Sequence, residues 1–381
     1  MPNAVIVSAV RTPIGRAHKG RLKEIRADEL AAIAVREAIA RVPNLDPSLI
    51  EDVIIGCAFP EGEQGMNVAR PISALAGIPV TAGATTVNRF CASALQSFNM
   101  AAQAIMLGDG DVFVAGGVES MSRVPMGGYN PSFNDKLVGG QGYPDEYIPM
   151  GLTAENVANR YGVSREDQDA FALRSHQRAI AAQDANQFPE IVSVTLPDGT
   201  VVTKDEGPRR DTSAERLAGL QPVFVVGGSV TAGNSSPLND GATCAVLMSE
   251  ERARDLGVTP LARVRGMAVA GVDPEYMGIG PIPAMRKLLK RTGVSMSDID
   301  LVELNEAFAS QSLAVQRDLE IDDDKLNIHG GAIAIGHPLG CSGVRLIAQL
   351  LTSLQERNGT LGIATLCVGG GQGVATLIER I

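Results

Sequence analysis

One cysteine stands where a reactive thiol would be expected. Cys91 lies in the segment TTVNRFCAS, where an apolar strand pattern ends and an amphipathic helix pattern begins. A thiol at the N-terminus of a helix faces the positive end of the helix dipole, which lowers its pKa. The small residues that follow, Ala92 and Ser93, leave room for a substrate carbonyl. These features predict that Cys91 is a nucleophile.

A histidine in the second half of the chain is a candidate base for this thiol. His337 lies in HGGAIAIGHPLGCSG, and the internal similarity described below puts it near the position equivalent to Cys91. If a pseudo-twofold axis relates the two halves, the N-termini of their helices face one centre. His337 and Cys91 would then form a thiolate–imidazole pair. The alternative is an inert histidine in a cap or in the core.

Two further segments carry polar groups at the ends of apolar strands. In TLCVGGGQG, Cys367 precedes glycines whose backbone N–H groups can approach a developing oxyanion. This loop lacks the strand–helix context and the downstream acidic residue of a dinucleotide-binding fingerprint. In LVELNEAFA, Asn305 and Glu306 are candidates for orienting a water or a histidine. The alternative for this pair is a turn with a solvated glutamate.

The cysteines and histidines do not form a metal-binding pattern. His337 and Cys341 lie four residues apart, but no second close pair completes a ligand set. The cysteine count is odd and no C-x-x-C occurs, so most cysteines are expected to be free thiols in a reducing compartment. We predict that Cys57 and Cys244 are core residues and that Cys341 packs beside His337.

The elements that position these residues come from a duplicated α/β unit. Residues 45–59 resemble 294–308 and residues 91–120 resemble 341–371, so both matches are about 250 residues apart. Each half alternates apolar runs of strand length with helix patterns such as DELAAIAVREAIARV and IPAMRKLLKRTGV. This alternation predicts α/β layers whose strands are buried on both faces.

One segment has no counterpart in the repeat. Residues 118–237 include a stretch rich in Gly, Pro and Tyr, a helix pattern that begins near Ser164, and the charged turn KDEGPRRDTSAER. We therefore predict a first core half formed by residues 1–117 and 238–260, an inserted loop domain over 118–237, and a second core half over 261–381. Long structured insertions usually cover a site.

Composition and charge limit the classes of function. The 381 residues include 33 Lys and Arg against 43 Asp and Glu, which gives a net charge of −10. This acidic balance argues against a general nucleic-acid-binding protein. No apolar run reaches the roughly 18 residues of a membrane span, and the N-terminus lacks the basic region of a signal peptide. We expect a globular cytoplasmic protein with no nucleic-acid partner.

Seven segments together resemble the thiolase family, in the family order: VNRFCASAL, GGVESMSRVP, MGLTAENVA, VTAGNSSPLNDGA, NEAFA, GGAIAIGHPLGCSG and LCVGGGQG. The similarity covers essentially the whole chain, and DEGPR and ELNEAF are most similar to the degradative 3-ketoacyl-CoA thiolases of fatty acid β-oxidation. The resemblance implies duplicated α/β halves in a layered αβαβα core, with the inserted domain covering the coenzyme A (CoA) site. It implies an acyltransferase that cleaves 3-ketoacyl-CoA reversibly into acetyl-CoA and a shortened acyl-CoA.

The same resemblance implies roles for the reactive residues. Cys91 would take the acyl group, and His337 would accept its proton and later that of the incoming CoA thiol. Cys367 would protonate the departing acetyl-CoA carbanion at carbon 2. Asn305 would hold a water that, with His337, stabilises the enolate oxygen. The backbone N–H groups of Cys91 and Gly369 would form a second oxyanion hole.

Substrate contacts are also implied by the resemblance. Ser236 would contact the pantetheine arm, and Arg209, which is adjacent to Arg210, would meet the nucleotide phosphate of CoA. This ping-pong scheme uses CoA thioesters as substrates and needs no metal or redox cofactor, and the family assembles as homodimers or homotetramers. The residues implied to line the pocket are Met150, Ala307 and Phe308.

Alternatives with different chemistry or chain length stay open at this point. A short-chain acetoacetyl-CoA thiolase has the same mechanism and a narrower pocket. Pro149 stands where acetoacetyl-specific relatives often have His, which favours a broader chain-length range. A condensing synthase of the superfamily lacks the second reactive cysteine, and a non-catalytic CoA- or lipid-binding relative would be expected to have lost Cys91, His337 or Cys367.

The remaining histidines are expected to have no role in the chemistry. We predict that His18 is an exposed loop residue and that His176, on a charged helix pattern, is solvated. His329 stands where the family more usually has Asn, and we predict a structural residue in a turn.

Overall fold

A computed structural model describes residues 2–139 and 142–381. The strands, in chain order, are β1 Ala4–Arg11, β2 Gly15–Arg16, β3 Asp52–Gly56, β4 Gly83–Val87, β5 Val112–Ser120, β6 Val194–Thr195, β7 Val201–Val202, β8 Asn239–Ser249, β9 Ala262–Gly271, β10 Leu301–Leu304, β11 Leu361–Val368 and β12 Gln372–Arg380. The α-helices are α1 Ala27–Ala40, α2 Ala69–Leu75, α3 Ser93–Leu107, α4 Met150–Tyr161, α5 Arg165–Asp184, α6 Ala214–Ala218, α7 Glu250–Asp255, α8 Pro281–Thr292, α9 Ala309–Asp318, α10 Ala332–Ile335 and α11 Ser342–Arg357.

Four strands of each half follow the same order in the sheet, and the first half has one additional edge strand, β4. The order of the whole sheet is β10-β11-β12-β9-β1-β8-β5-β3-β4. In the first half β3 and β5 are parallel and β8 is antiparallel to both β5 and β1. In the second half β10 and β11 are parallel and β12 is antiparallel to both β11 and β9. The duplication inferred from the sequence is therefore confirmed by the topology.

The helices form three layers around the two half-sheets. Helices α1 and α2 cover the outer face of the first half, α3 and α11 lie between the halves, and α8 and α9 cover the outer face of the second half. The central helices are more buried than the outer ones: 12 of the 16 residues of α11 are buried, against 5 of the 12 residues of α8. A helix packed on both sides is expected to be apolar nearly all round. The predicted layered α/β fold is confirmed.

Glycines allow the two central helices to begin close together. A Cβ atom on Gly343, in the first turn of α11, would lie 2.1 Å from the backbone nitrogen of Leu95 in α3. A Cβ atom on Gly117 of β5 would lie 2.0 Å from the carbonyl oxygen of Gly340. Real side chains do not tolerate such distances, so these contacts require glycine. The N-termini of α3 and α11 therefore meet at the interface of the halves.

The segment between β5 and β8 extends from the first half onto the second. It contains α4, α5 and α6 and the hairpin β6–β7, and both α4 and α5 pack against α9. Because β5 continues to Ser120, the predicted boundary after residue 117 falls inside a strand. The division into three domains stays a prediction. Within the described residues, no helix is long and apolar enough to cross a membrane.

Candidate active site

Cys91 lies on a tight elbow between β4 and α3. Phe90 has a φ of 41°, a strained value for a bulky residue. Its N–H donates to Asn88 Oδ1 at 2.8 Å. The Ser93 hydroxyl donates to the carbonyl oxygen of Phe90 at 2.7 Å and accepts from the N–H of Arg89 at 2.9 Å. These bonds hold Cys91 in a short 3₁₀ turn immediately before α3.

The Cys91 thiol is protonated at neutral pH. Burial is the largest effect and raises its pKa to about 11, although the backbone N–H groups of Gly369 and of Cys91 itself face the sulfur and lower it. The buried carboxyl of Glu119 adds to the increase in pKa. The prediction of a lowered pKa was wrong, because desolvation of the thiolate outweighs the helix N-terminus. Cys91 therefore needs a base to become a nucleophile.

His337, the predicted base, is held in one tautomer by its neighbours. Ser342 Oγ lies 2.6 Å from His337 Nδ1 and donates its own hydrogen to the carbonyl oxygen of Pro338 at 2.8 Å. Since that hydroxyl proton is used, Ser342 accepts from Nδ1–H, which assigns the free lone pair to Nε2. Burial, followed by the positive charge of Arg345, lowers the pKa of His337 to about 3. The imidazole is neutral and able to accept a proton at Nε2.

Asn305 connects His337 to the end of β10. Its Nδ2 lies 3.2 Å from His337 Nε2, and its backbone N–H donates to the carbonyl oxygen of Thr365 in β11. Its neighbour Glu306 is neither solvated nor directed at His337. Glu306 accepts from the Ser175 hydroxyl at 2.6 Å and from Asn327 Nδ2 at 2.9 Å. Asn305 is brought to the site, whereas Glu306 holds together the elements behind it.

Cys367 lies at the end of β11 among the predicted pocket residues. The sulfur is fully buried, and burial together with the negative charge of a Cys91 thiolate raises the pKa of Cys367 strongly. A Cβ atom on Gly369 would lie 3.5 Å from the sulfur of Met150. The loop after β11 thus contacts the apolar cluster that contains Cys367. Its members include Met150, Ala154, Ala307, Phe308 and Cys367.

A cleft of about 580 Å³ lies between the charged turn and the segment that contains Ser236, and its lining does not include Cys91, His337 or Cys367. Arg209 lines the cleft, whereas Arg210 points elsewhere and pairs with Asp184. Ser236 stands between two residues that line the cleft, and its N–H donates to the carbonyl oxygen of Ala307 at 2.9 Å. Of the adjacent arginines in the charged turn, Arg209 is therefore the one available to a ligand.

The cleft also contains basic residues that the sequence did not single out for binding. Arg16, Lys19 and Arg216 line it together with Arg209, and the acidic Asp211 of the lining pairs with Arg216. The balance in the cleft is therefore positive in a chain of net charge −10. His18 is exposed, as predicted, and lies at the same cleft. The sequence signal for this cluster was the run RTPIGRAHKG. It was not connected with Arg209 because the two segments lie far apart in the sequence.

The prediction for His176 was wrong. This residue of α5 is 5% exposed, lines the cleft and accepts the N–H of Arg209 at its Nδ1 at 3.2 Å. Burial, followed by the charge of Arg209, lowers the pKa of His176 to about 4. The many charged residues of α5 suggested an exposed helix, but the loop that carries Arg209 covers the face with His176. His176 positions that loop.

The other cysteines and His329 lie outside the cluster. Cys57, Cys244 and Cys341 are fully buried and unpaired, as expected for core thiols. His329 is bonded to Glu356 and Ser353. Within the described part of the chain, no group of three or more His, Cys, Asp or Glu residues could hold a metal ion.

Glu119 is a residue of this region that the sequence reasoning missed. It is fully buried and accepts the N–H groups of Ala58 and Gly340, each at 2.8 Å, and Gln64 Nε2 at 2.9 Å. Gly340 belongs to the loop that carries His337. Glu119 therefore ties that loop of the second half to the first half. Its segment, GGVESMS, was recognised only as a family signature.

Comparisons with known proteins agree with this geometry. The sequence matches the family described as "Thiolase, N-terminal domain" over residues 4–251 and "Thiolase, C-terminal domain" over residues 258–380. It is 50% identical to the 3-ketoacyl-CoA thiolase of Bacillus subtilis and 49% identical to that of Shewanella baltica, over the full length of each chain.

Two solved structures are similar throughout. The acetyl-CoA acetyltransferase of Bacillus anthracis has a TM-score of 0.92 at 44% identity, and human mitochondrial 3-ketoacyl-CoA thiolase has a TM-score of 0.90 at 39% identity. Both comparisons cover 100% of this chain and 99% of the other. With two family matches that together span nearly all of its residues, this chain belongs to the thiolase family.

Proposed function

We propose that the protein is a 3-ketoacyl-CoA thiolase, an acyltransferase that cleaves a 3-ketoacyl-CoA with CoA into acetyl-CoA and a shortened acyl-CoA. The observation that carries this proposal is the joining of two buried thiols through one loop. The N–H of Gly369 faces the sulfur of Cys91, and Cys367 lies two residues earlier in the same strand end. A reaction with one nucleophilic and one proton-transferring thiol fits this arrangement.

The first half of the reaction forms an acyl-enzyme. His337 Nε2 accepts the proton of Cys91 while the sulfur attacks the ketone carbon of the substrate. The N–H groups of Cys91 and Gly369 are directed to stabilise the oxyanion that forms. When the bond between carbons 2 and 3 breaks, its electron pair becomes the enolate of acetyl-CoA. Asn305, through a bound water, and His337 would stabilise that enolate oxygen.

The second half releases both products. The S–H of Cys367 gives its proton to carbon 2 of the enolate, which leaves as acetyl-CoA. The imidazolium of His337 gives up the proton that came from Cys91, which restores the S–H of Cys367 and leaves the histidine neutral. A new CoA thiol then attacks the acyl-enzyme, and His337 takes the proton of that thiol and returns it to the departing Cys91 sulfur. The acyl group leaves Cys91 as the shortened acyl-CoA, and every step is reversible. A neutral histidine is needed at the start of each half, which agrees with its lowered pKa.

CoA is proposed to bind in the basic cleft, with Arg209 at its nucleotide phosphates. Replacing Arg209 by Ala is expected to raise the KM for CoA roughly three- to tenfold and to change kcat little, because an exposed charge–phosphate contact is lost. The matched control is Arg210→Ala, since Arg210 pairs with Asp184 outside the cleft. Equal KM values for CoA in the two variants would show that Arg209 does not contribute to CoA binding.

A short-chain acetoacetyl-CoA thiolase is the second candidate. It is favoured by the similarity to the Bacillus anthracis acetyl-CoA acetyltransferase, whereas the named relatives at 49–50% identity favour the 3-ketoacyl enzyme. The test is CoA-dependent thiolysis of acetoacetyl-CoA and of a long-chain 3-ketoacyl-CoA, measured side by side. Comparable turnover of the long chain supports our proposal, and turnover of acetoacetyl-CoA alone supports the second candidate. If neither turns over while CoA binds, the protein is a binding relative.

We also propose a homodimer or homotetramer, as the family resemblance implies. Within the described residues, β4 pairs only with β3 and so lies at the edge of the sheet. The side chains of Met66, Val80 and Phe90 are exposed next to it. Such an apolar edge is suited to a second copy of the chain, which light scattering would detect. Cytoplasmic location, a role in β-oxidation and independence from a metal or redox cofactor stay predictions.

A further inference from the structure

A buried glutamine contacts the second reactive thiol. Gln311 lies in the first turn of α9 and is fully buried. Its terminal amide is 3.5 Å from Cys367 Sγ. In the proposed mechanism, Cys367 becomes a thiolate after each proton transfer to carbon 2. No residue has so far been assigned to stabilise that negative charge. A buried thiolate without a hydrogen-bond donor is costly.

The neighbours of Gln311 determine which end of its amide faces the sulfur. On one side lies the carbonyl oxygen of Asn305 at 3.2 Å, which can only accept. On the other side lies the N–H of Ser312 at 2.9 Å, which can only donate. Both are satisfied when the amide nitrogen faces Asn305 and the oxygen faces Ser312. That orientation also puts the nitrogen, with its second hydrogen, next to Cys367.

The surroundings leave a specific space for this side chain. A Cβ atom on Gly278 would lie 2.5 Å from the Cβ of Gln311 and 3.6 Å from a methyl group of Val157. Gly278 therefore permits the close approach of its backbone to the base of the Gln311 side chain. The amide is held by Asn305 and by Ser312, and the base of the side chain packs against Gly278. A donor held in advance loses little entropy when the thiolate forms.

We propose that the Gln311 amide is a hydrogen-bond donor that stabilises the Cys367 thiolate during proton transfer at carbon 2. In the thiolytic direction, the S–H bond of Cys367 breaks and the proton joins the enolate carbon, so the negative charge passes to the sulfur beside Gln311. In the reverse direction, the thiolate takes a proton from acetyl-CoA and the C–H electron pair enters the enolate. Gln311 is thus a positioning residue for one half of the reaction. This inference rests on the proposed function.

The test separates the two half-reactions in the purified full-length protein. Proton transfer is followed as incorporation of deuterium at carbon 2 of acetyl-CoA in deuterium oxide. Acyl transfer is followed as exchange of labelled CoA into acetyl-CoA, which needs Cys91 and His337 but no chemistry at carbon 2. For Gln311→Met, which keeps the volume and removes the donor, we expect deuterium incorporation to slow roughly 10- to 100-fold while acyl exchange stays within about twofold.

A pH profile distinguishes loss of the donor from a structural defect. Deuterium incorporation rises with pH as Cys367 ionises, and in Gln311→Met this rise should move about one to two pH units higher. Gln311→Glu, of nearly identical shape, should also slow incorporation, because a carboxylate repels the thiolate. The matched control is Gln168→Met, which removes a buried glutamine bonded to Val163 and Ser229 and should change neither half-reaction.

The outcomes distinguish the two proposals. Equal slowing of both half-reactions in Gln311→Met, or an unshifted pH profile, would overturn the role of Gln311 and leave the proposed function standing. Deuterium incorporation at the wild-type rate would overturn it as well. If the wild-type protein performs neither half-reaction, the proposed function fails and the role of Gln311 fails with it.

Discussion

The two halves of the molecule place a cysteine at the same point of the repeat, with opposite results. Cys91 precedes α3, and Cys341 precedes α11. Cys91 is 7% exposed, and its sulfur faces two N–H groups, one of them from Gly369 of the other half. Cys341 is fully buried among apolar side chains such as Ile14 and Ile335. The same position in the repeat therefore has different surroundings in the two halves, and we propose that only Cys91, which faces a donor from the opposite half, acts as a nucleophile.

At a second pair of equivalent positions, the second half carries a polar side chain and the first half carries none. Asn305, which contacts His337, corresponds in the repeat to Gly56 at the end of β3. A Cβ atom on Gly56 would lie 2.3 Å from the backbone of Ser93, because the first turn of α3 packs directly on β3. The first half has no room for a polar side chain there. In the proposed mechanism, the first half thus supplies the nucleophile, and the second supplies the base, the amide and the second thiol.

The largest expected effect tests the two cysteines directly. Cys91→Ala should lower kcat for thiolysis by roughly 10⁴-fold or more, since no other group can carry the acyl intermediate. Cys341→Ala should leave kcat within about twofold and lower the free energy of unfolding by about 1–2 kcal/mol, because it removes one buried sulfur. Steady-state kinetics and denaturant unfolding measure both. A large loss of activity in Cys341→Ala would refute the contrast between the halves.

The next effect tests how α11 fixes the base. Ser342→Ala leaves the buried Nδ1–H of His337 without its acceptor, so we expect kcat to fall roughly 10- to 100-fold. The matched control lies on the same helix: Ser353→Ala removes a hydrogen bond to His329, at the opposite end from the site. That variant should lose some stability and keep its kcat. Equal kcat values in the two variants would mean that Ser342 does not hold the base in its working tautomer.

Much of this arrangement was predictable from the sequence. The strands and helices of both halves follow hydrophobic patterns, and the repeat about 250 residues apart relates them. Small residues around Cys91, His337 and Cys367 were the basis for the predicted chemistry. These signals are local, or are repeated at a fixed spacing, and so they are visible without a structure.

The groups that surround these residues were not predictable in the same way. Glu119 and Gln311 act across 221 and 56 positions of sequence, to Gly340 and Cys367 respectively. The pKa of Cys91 was assigned the wrong direction because a pattern shows that a helix begins, but not how completely its first turn is buried. His176 was misjudged for the same reason. Burial depends on which distant segment covers a face, and one sequence contains no direct record of that.

The smallest effect concerns the ionisation of Cys91. Since its pKa is about 11, the reactive thiolate is a minor species at neutral pH, and its fraction grows as pH rises. Alkylation of free enzyme by iodoacetamide at Cys91 should therefore accelerate about tenfold per pH unit between roughly pH 7 and 9. Peptide mapping by mass spectrometry should find Cys341 unmodified in the folded protein over the same range. A rate at Cys91 that reaches a plateau below pH 8 would instead indicate a thiolate stabilised by the helix N-terminus, and burial would no longer be the dominant effect at this thiol.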